Sequence, residues 1–115
     1  MSGQIAAYCR VSTAAQSTDQ QQDQIAATGI SPDRWFIETA SGSVGTVRPE
    51  WEECVGWLRN GDTLIVAALD RLGRSVREVS AAVSTLHERG VTIRALREGV
   101  DTSTSAGRML TSVMA

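Results

Sequence analysis

The amino-acid sequence predicts an α/β fold: a mostly parallel central sheet with helices on both faces. Two observations carry this. Strand-like apolar runs beginning at Ile5, Trp35, Thr63 and Val91 alternate with amphipathic helical stretches, the pattern of a parallel sheet built from crossover connections. The run Thr63-Leu64-Ile65-Val66-Ala67-Ala68-Leu69 is apolar nearly throughout, as a central strand covered on both faces must be.

The first strand runs from Ile5 through Tyr8-Cys9-Arg10-Val11-Ser12 and stops at the polar stretch Thr13 to Asp19. Alternation puts Tyr8, Arg10 and Ser12 on one face and Cys9 and Val11 on the other. Ser17, Thr18 and the following glutamines then supply helix-capping groups; Ile25 and Ala26 are the main buried candidates of that helix, and Gly29 ends it. After the turn at Ser31-Pro32-Asp33, Trp35 to Glu38 forms a short second strand. The small, polar, glycine-rich stretch from Thr39 to Val47 is a long loop of the kind that often carries function.

Pro49 suits a first helical turn, and Glu50, Glu52 and Glu53 favour the positive end of its dipole. Trp51, Cys54, Val55 and Leu58 form the buried stripe of this second helix. After the central strand, Ser75 and Glu78 form a capping box that opens a long helix whose inner face is Val76, Val79, Val83 and Leu86. Gly90 ends it, and Val91 to Leu96 is the next strand. Thr102 to Ser105 supplies caps for a helix from Ala106 whose apolar stripe still runs at Ala115, so the expected organisation is an α/β domain over 1–101 and the start of a truncated long helix over 102–115, in a fragment of a longer protein.

A chain of 115 residues buries roughly two-thirds of its unfolded surface, enough for one real core. Hydrophobic residues make up 42% and charged residues 21%, with no signal-peptide pattern and no run long enough to span a membrane. Cys9 and Cys54 fall in apolar patterns and are expected to be buried free thiols in a reducing cytoplasm. A net charge of −2 excludes a body that coats nucleic acid by bulk electrostatics, yet all 11 basic residues are arginine, whose planar fork suits phosphate oxygens.

Two strand ends concentrate chemistry: Arg10 and Ser12 after the first strand, and Asp70, Arg71 and Arg74 after the central one. Neighbouring parallel strands bring them to one sheet edge, where ligands of open α/β sheets bind. Arg48, at the exit of the long loop, can fold over them. Like charges 4 Å apart repel by roughly 1 kcal/mol in water and about 4 kcal/mol at a protein surface, more than Asp70 and Glu38 offset, so the cluster points to an anion, most plausibly a phosphate. The lone His87 lies on the polar side of its helix, which argues against a Ser-His-Asp hydrolase. Carboxylates are scattered and no His/Cys pair has ligand spacing, so neither a metal nor another cofactor is expected. The chemistry indicated is phosphoryl transfer through a serine ester, helped by clustered guanidiniums. Singly, each residue also has a plain reading: Ser12 as a turn residue, Arg10 and Asp70-Arg71 as ion-pair partners, Tyr8 as a core aromatic, Ser41 as a loop residue.

The ordered set Tyr8-Cys9-Arg10-Val11-Ser12-Thr13, Gln16-Ser17, Gln21, Ala40-Ser41-Gly42, Arg48-Pro49 and Leu69-Asp70-Arg71-Leu72-Gly73-Arg74 resembles the catalytic domain of the serine recombinases, the resolvase/invertase family. The resemblance implies that Ser12 is the nucleophile that joins the 5′-phosphate at a DNA break. It further implies that Arg10, Arg48, Arg71 and Arg74 surround the scissile phosphate and that Asp70 is an active-site carboxylate. Tyr8, Gln16, Gln21 and Ser41 are then supporting residues. Glu38 stands where relatives often carry Asp. The implied partners are double-stranded DNA at a recombination site and further copies of the chain, as homodimer and tetramer, in the full-length protein. A serine transposase or large integrase reuses the same domain, and a non-catalytic phosphate-binding module is the rival of another class. Without the rest of the long helix and a DNA-reading domain, the fragment is expected not to recombine DNA by itself.

Overall fold

A computed structural model describes residues 3–11, 17–39, 48–73 and 75–104. Along the chain these form β1 (Ile5–Val11), α1 (Asp19–Ala26), β2 (Arg34–Thr39), α2 (Pro49–Trp57), β3 (Thr63–Val66), a 3₁₀ turn (Leu69–Arg71), α3 (Val76–Glu88), β4 (Thr92–Ala95) and β5 (Val100–Asp101). The sheet has the order β2-β1-β3-β4-β5; its first four strands are parallel, and β5 pairs antiparallel with β4. The predicted α/β architecture with helices on both faces is what forms. No helix among the described residues is long and apolar enough to cross a membrane.

The two faces are unequal. Ala6, Tyr8, Leu64, Val66 and Ile93 point to the side covered by α2 and α3, meeting Cys54, Leu58, Val79 and Leu86. Ala7, Cys9 and Ile65 point to the side covered by α1, where Ile25 is the central contact. Both cysteines are free and buried, as expected.

Several details differ from the sequence reading. The central strand ends at Val66 rather than Leu69, because β1 and β3 part after the Ala7–Ile65 pairing while β1 continues beside β2 to Val11–Thr39. Ala67, Ala68 and Leu69 stay buried but lead into the 3₁₀ turn. That parting is the switch point of the sheet, and it opens the edge on which the site sits. In α1, Ala26 is exposed and Gln21 takes the buried place beside Ile25. In α3, Val79 and Leu86 are buried, but Val76 sits in the first turn with 61% of its surface exposed.

Strand β5 was not foreseen; two residues are too short to leave a periodic signal. Gly99, at φ +67°, makes the reversal between β4 and β5. Thr102 is buried, and its hydroxyl accepts the Ile93 N–H at 2.8 Å. Asp101 Oδ1 accepts from the backbone N–H and hydroxyl of Ser103. The helix expected from Ala106 lies outside the described residues.

Candidate active site

Strand alternation carries Arg10 toward the open edge on the same side as Tyr8, and the residue is only 7% exposed. Its backbone is gripped by Gln21 of α1: the Arg10 N–H donates to Gln21 Oε1 at 3.1 Å, and Gln21 Nε2 donates to the Arg10 carbonyl at 2.8 Å. A glutamine at this place does the work of a missing neighbouring strand. The Arg10 guanidinium crosses to the loop after β3, donating to the carbonyls of Asp70 (2.8 Å), Gly73 (3.3 Å) and Arg71 (3.4 Å). Burial pulls its ionisation below the ordinary arginine value; the charges of Arg48 and Arg71 push the same way, against Tyr8 and Asp70.

Arg71 returns the contact, Nη1 donating to the Arg10 carbonyl at 3.2 Å. Its Nε lies 3.5 Å from Asp70 Oδ1 without the alignment of a hydrogen bond, and is buried with no hydrogen-bond partner. Arg48, the residue before α2, donates from Nη2 to the Leu72 carbonyl at 3.0 Å, and its Nη1 is likewise buried without a partner. Three arginines from distant parts of the chain thus meet at the backbone of residues 70–73. Gly73 makes the close packing possible: a Cβ there would stand 2.5 Å from Glu78 Cβ and 2.9 Å from the Val79 nitrogen.

Tyr8 lies behind this cluster. Its hydroxyl donates to Glu38 Oε1 at 2.6 Å, and burial, then that bond and the Glu38 charge, push its ionisation far above the ordinary phenol value. Among the described residues Glu38 forms no ion pair with an arginine. It is buried and caps α2 from outside, accepting the N–H of Glu50 at 2.9 Å and of Trp51 at 3.2 Å. A carboxylate at a helix N-terminus is favoured by both the unpaired N–H groups and the dipole.

Asp70 is placed beside Arg71, but over half of its side chain is exposed, and it also takes an ion pair from Arg97 Nη2 at 3.0 Å. Glu98 binds Arg97 at 3.2 Å and accepts the Leu69 N–H at 3.1 Å, so the β4–β5 turn braces the 3₁₀ turn. Sequence reading missed Arg97 and Glu98; the available signal was their position just past the carboxyl end of a parallel strand. A cavity of about 730 Å³ opens on the α1 side of the same edge, bordered by Val11, Gln20, Gln24, Ala68, Arg71 and Arg97. Among the described residues no group of three or more His, Cys, Asp or Glu is arranged to hold a metal ion.

Of the residues singled out in the sequence, Arg10, Arg48, Asp70 and Arg71 are brought together, with Tyr8 and Gln21 directly behind them. Ser12, Gln16, Ser41 and Arg74 lie outside the described residues.

Comparison with known proteins shows the family. The family described as "Resolvase, N terminal domain" matches residues 5–115. The chain is 42% identical over 107 residues to the DNA-invertase hin of Salmonella typhimurium, covering 93% of this chain and 55% of that protein. It is 40% identical to the Transposon Tn2501 resolvase of Escherichia coli, covering 96% of this chain and 59% of the relative. The chain therefore spans little more than half the length of these curated relatives. The crystal structure of the N-terminal catalytic domain of TP901-1 integrase superposes with a TM-score of 0.74 at 27% identity, covering 96% of this chain and 89% of that one.

Proposed function

The chain belongs to the resolvase family, as its N-terminal catalytic domain, and on that premise we propose that it cuts and rejoins double-stranded DNA through a covalent 5′-phosphoserine intermediate. Ser12 Oγ attacks a backbone phosphorus. The Oγ–P bond forms, the bond from phosphorus to the 3′ oxygen breaks, and the 3′ oxygen leaves as a hydroxyl, the serine proton having passed to it or to solvent. Rejoining is the reverse: the 3′ hydroxyl attacks the serine ester. The ester conserves the energy of the broken phosphodiester, so no cofactor is required.

The observation that carries this reading is the convergence of Arg10, Arg48 and Arg71 on one short loop, with Arg48 Nη1 and Arg71 Nε buried and unbonded. Buried donors without acceptors are costly, and phosphate oxygens are the acceptors that three neighbouring guanidiniums suit best. In the transition state the same donors stabilise the added negative charge at phosphorus. Arg74 joins them in this proposal. Asp70 organises Arg71, while Tyr8, Gln16, Gln21 and Ser41 support the site. In the full-length protein, working in the cytoplasm, homodimers pair two recombination sites within a tetramer.

The test is to trap the intermediate. With the full-length parent and its cognate DNA site, denaturing a reaction in progress yields protein covalently attached to 5′ ends and free 3′ hydroxyls, and Ser12→Ala abolishes the adduct. An adduct that persists in Ser12→Ala removes the nucleophile assignment, and a parent protein that binds the site yet never forms an adduct is a non-catalytic binder.

A further inference from the structure

We propose that Trp51 is a positioning residue for Arg48, an indole shelf that fixes the guanidinium at the DNA phosphate while leaving its charge unneutralised. The proposal rests on the reading of Arg48 as a phosphate ligand given above. Arg48 needs such a device. Its backbone lies just outside α2, and among the described residues its guanidinium makes one hydrogen bond, to the Leu72 carbonyl. A flexible side chain held at one nitrogen can still swing, and an arginine has ample rotamer freedom with which to do so.

Trp51 stands three residues further on, one helical turn above Arg48 on the same side. The Arg48 Cζ lies over its ring, 5.1 Å from the centroid, inside the distance at which an aromatic quadrupole attracts a cation. A carboxylate partner would hold the guanidinium equally well, but it would cancel the charge and occupy the donors. An aromatic face attracts the charge and supplies no acceptor oxygen. That is consistent with Arg48 Nη1 remaining buried without a hydrogen bond beside it.

The shelf is itself rigidly mounted. The Trp51 backbone N–H donates to Glu38 Oε1 at 3.2 Å, and its ring meets Tyr8 edge-on, with centroids 5.0 Å apart and planes at 63°. The indole packs against the main core cluster, which fixes its plane. A mechanical path therefore runs from Glu38 and Tyr8 through Trp51 to Arg48.

The experiment uses the full-length parent and its cognate DNA, with DNA affinity and single-turnover cleavage measured separately. Trp51→Leu keeps apolar bulk and removes the π face; we expect cleavage about tenfold slower at unchanged DNA affinity, within the range of a partly desolvated cation–π contact. Trp51→Phe keeps an aromatic face and restores most of the rate. In an Arg48→Gln background, Trp51→Leu slows cleavage no further. Should Trp51→Leu fail to fold, Trp51→Met, unbranched and adaptable, carries the same comparison. If Arg48→Gln alone leaves cleavage unchanged, the reading of Arg48 as a phosphate ligand fails. If Arg48→Gln slows cleavage while Trp51→Leu matches the parent, or Phe and Leu at position 51 are equally slow, the shelf is refuted and Trp51 is core packing.

Discussion

Tyr8 and Glu38 are joined side chain to side chain across the β1–β2 pair, 2.6 Å from phenol to carboxylate, with neither more than 3% exposed. Through the two α2 N–H groups that Glu38 also accepts, this one buried carboxylate ties β1, β2 and α2 into a unit.

A consequence at high pH follows. Tyr8 is the single tyrosine, so tyrosinate absorbance reports it alone. Its ionisation is raised in the folded chain by burial first and Glu38 second, so the folded state holds the phenolic proton more tightly than the unfolded state. Its contribution to stability is complete below about pH 10 and is lost as pH rises above that, where the unfolded chain releases the proton. The thiols act in the same direction from about pH 8.5, so the Tyr8 share is the difference between the chain and Tyr8→Phe in urea titrations. Tyrosinate signal near pH 10 with the fold intact would contradict the placement of Tyr8. At neutral pH, Tyr8→Phe strips a donor from a buried carboxylate and should cost about 1–3 kcal/mol.

Cys9 and Cys54 should be silent toward a thiol reagent at pH 8. Both are 0% exposed, and burial pushes their ionisation up to about 11 and about 12, respectively. Native protein should react only as fast as it opens, and denatured protein at once with both thiols. Rapid labelling of either cysteine in the native state is the opposing result.

Gln21→Ala should destabilise the chain by about 1–3 kcal/mol, since it leaves the buried N–H of Arg10 without its partner and the Arg10 carbonyl with Arg71 Nη1 alone. Gln21→Glu preserves the acceptor and loses the donor, so its loss of urea midpoint should also be substantial. An alanine variant within about 0.5 kcal/mol of the parent would mean that the end of β1 needs no clamp.

Gly73→Ala should damage both fold and site. The added methyl group meets Glu78 and Val79, and the carbonyl at this residue is one of the acceptors for Arg10. We expect a loss of about 1–3 kcal/mol from overpacking. In the parent protein, the cleavage rate should fall by more than the fraction unfolded accounts for. Full cleavage by a destabilised Gly73→Ala protein would show that the loop position does not matter to the reaction.

The parts legible in the sequence were those with a periodic or chemical signature. The alternation around Tyr8 and Arg10, the apolar run at Leu64 to Val66 and the Ser75 N-cap all form as their patterns require; Ser75 Oγ accepts the Glu78 N–H at 3.1 Å. What escaped was decided by tertiary contacts. Residues 67–69 carry strand-like side chains, yet they leave the sheet because β1 has already turned aside toward β2. Val76 satisfies the spacing of an inner face but lies in the first turn, where the helix has not yet reached the core. Gln21 looked like a capping partner and is instead a buried clamp on another element. Glu38 read as a strand-end charge near the arginines, and only the approach of α2 reveals what it holds.

Arg10 stitches its strand to the carbonyls of residues 70, 71 and 73, and Arg48 is fastened to the carbonyl of residue 72. The cations are thereby geared to a single short segment that itself carries Arg71. Any displacement of that segment retunes all of them in one stroke. A lysine at position 10, with its charge intact but no planar fork to span three carbonyls, would unmesh the gear without altering the electrostatic sum.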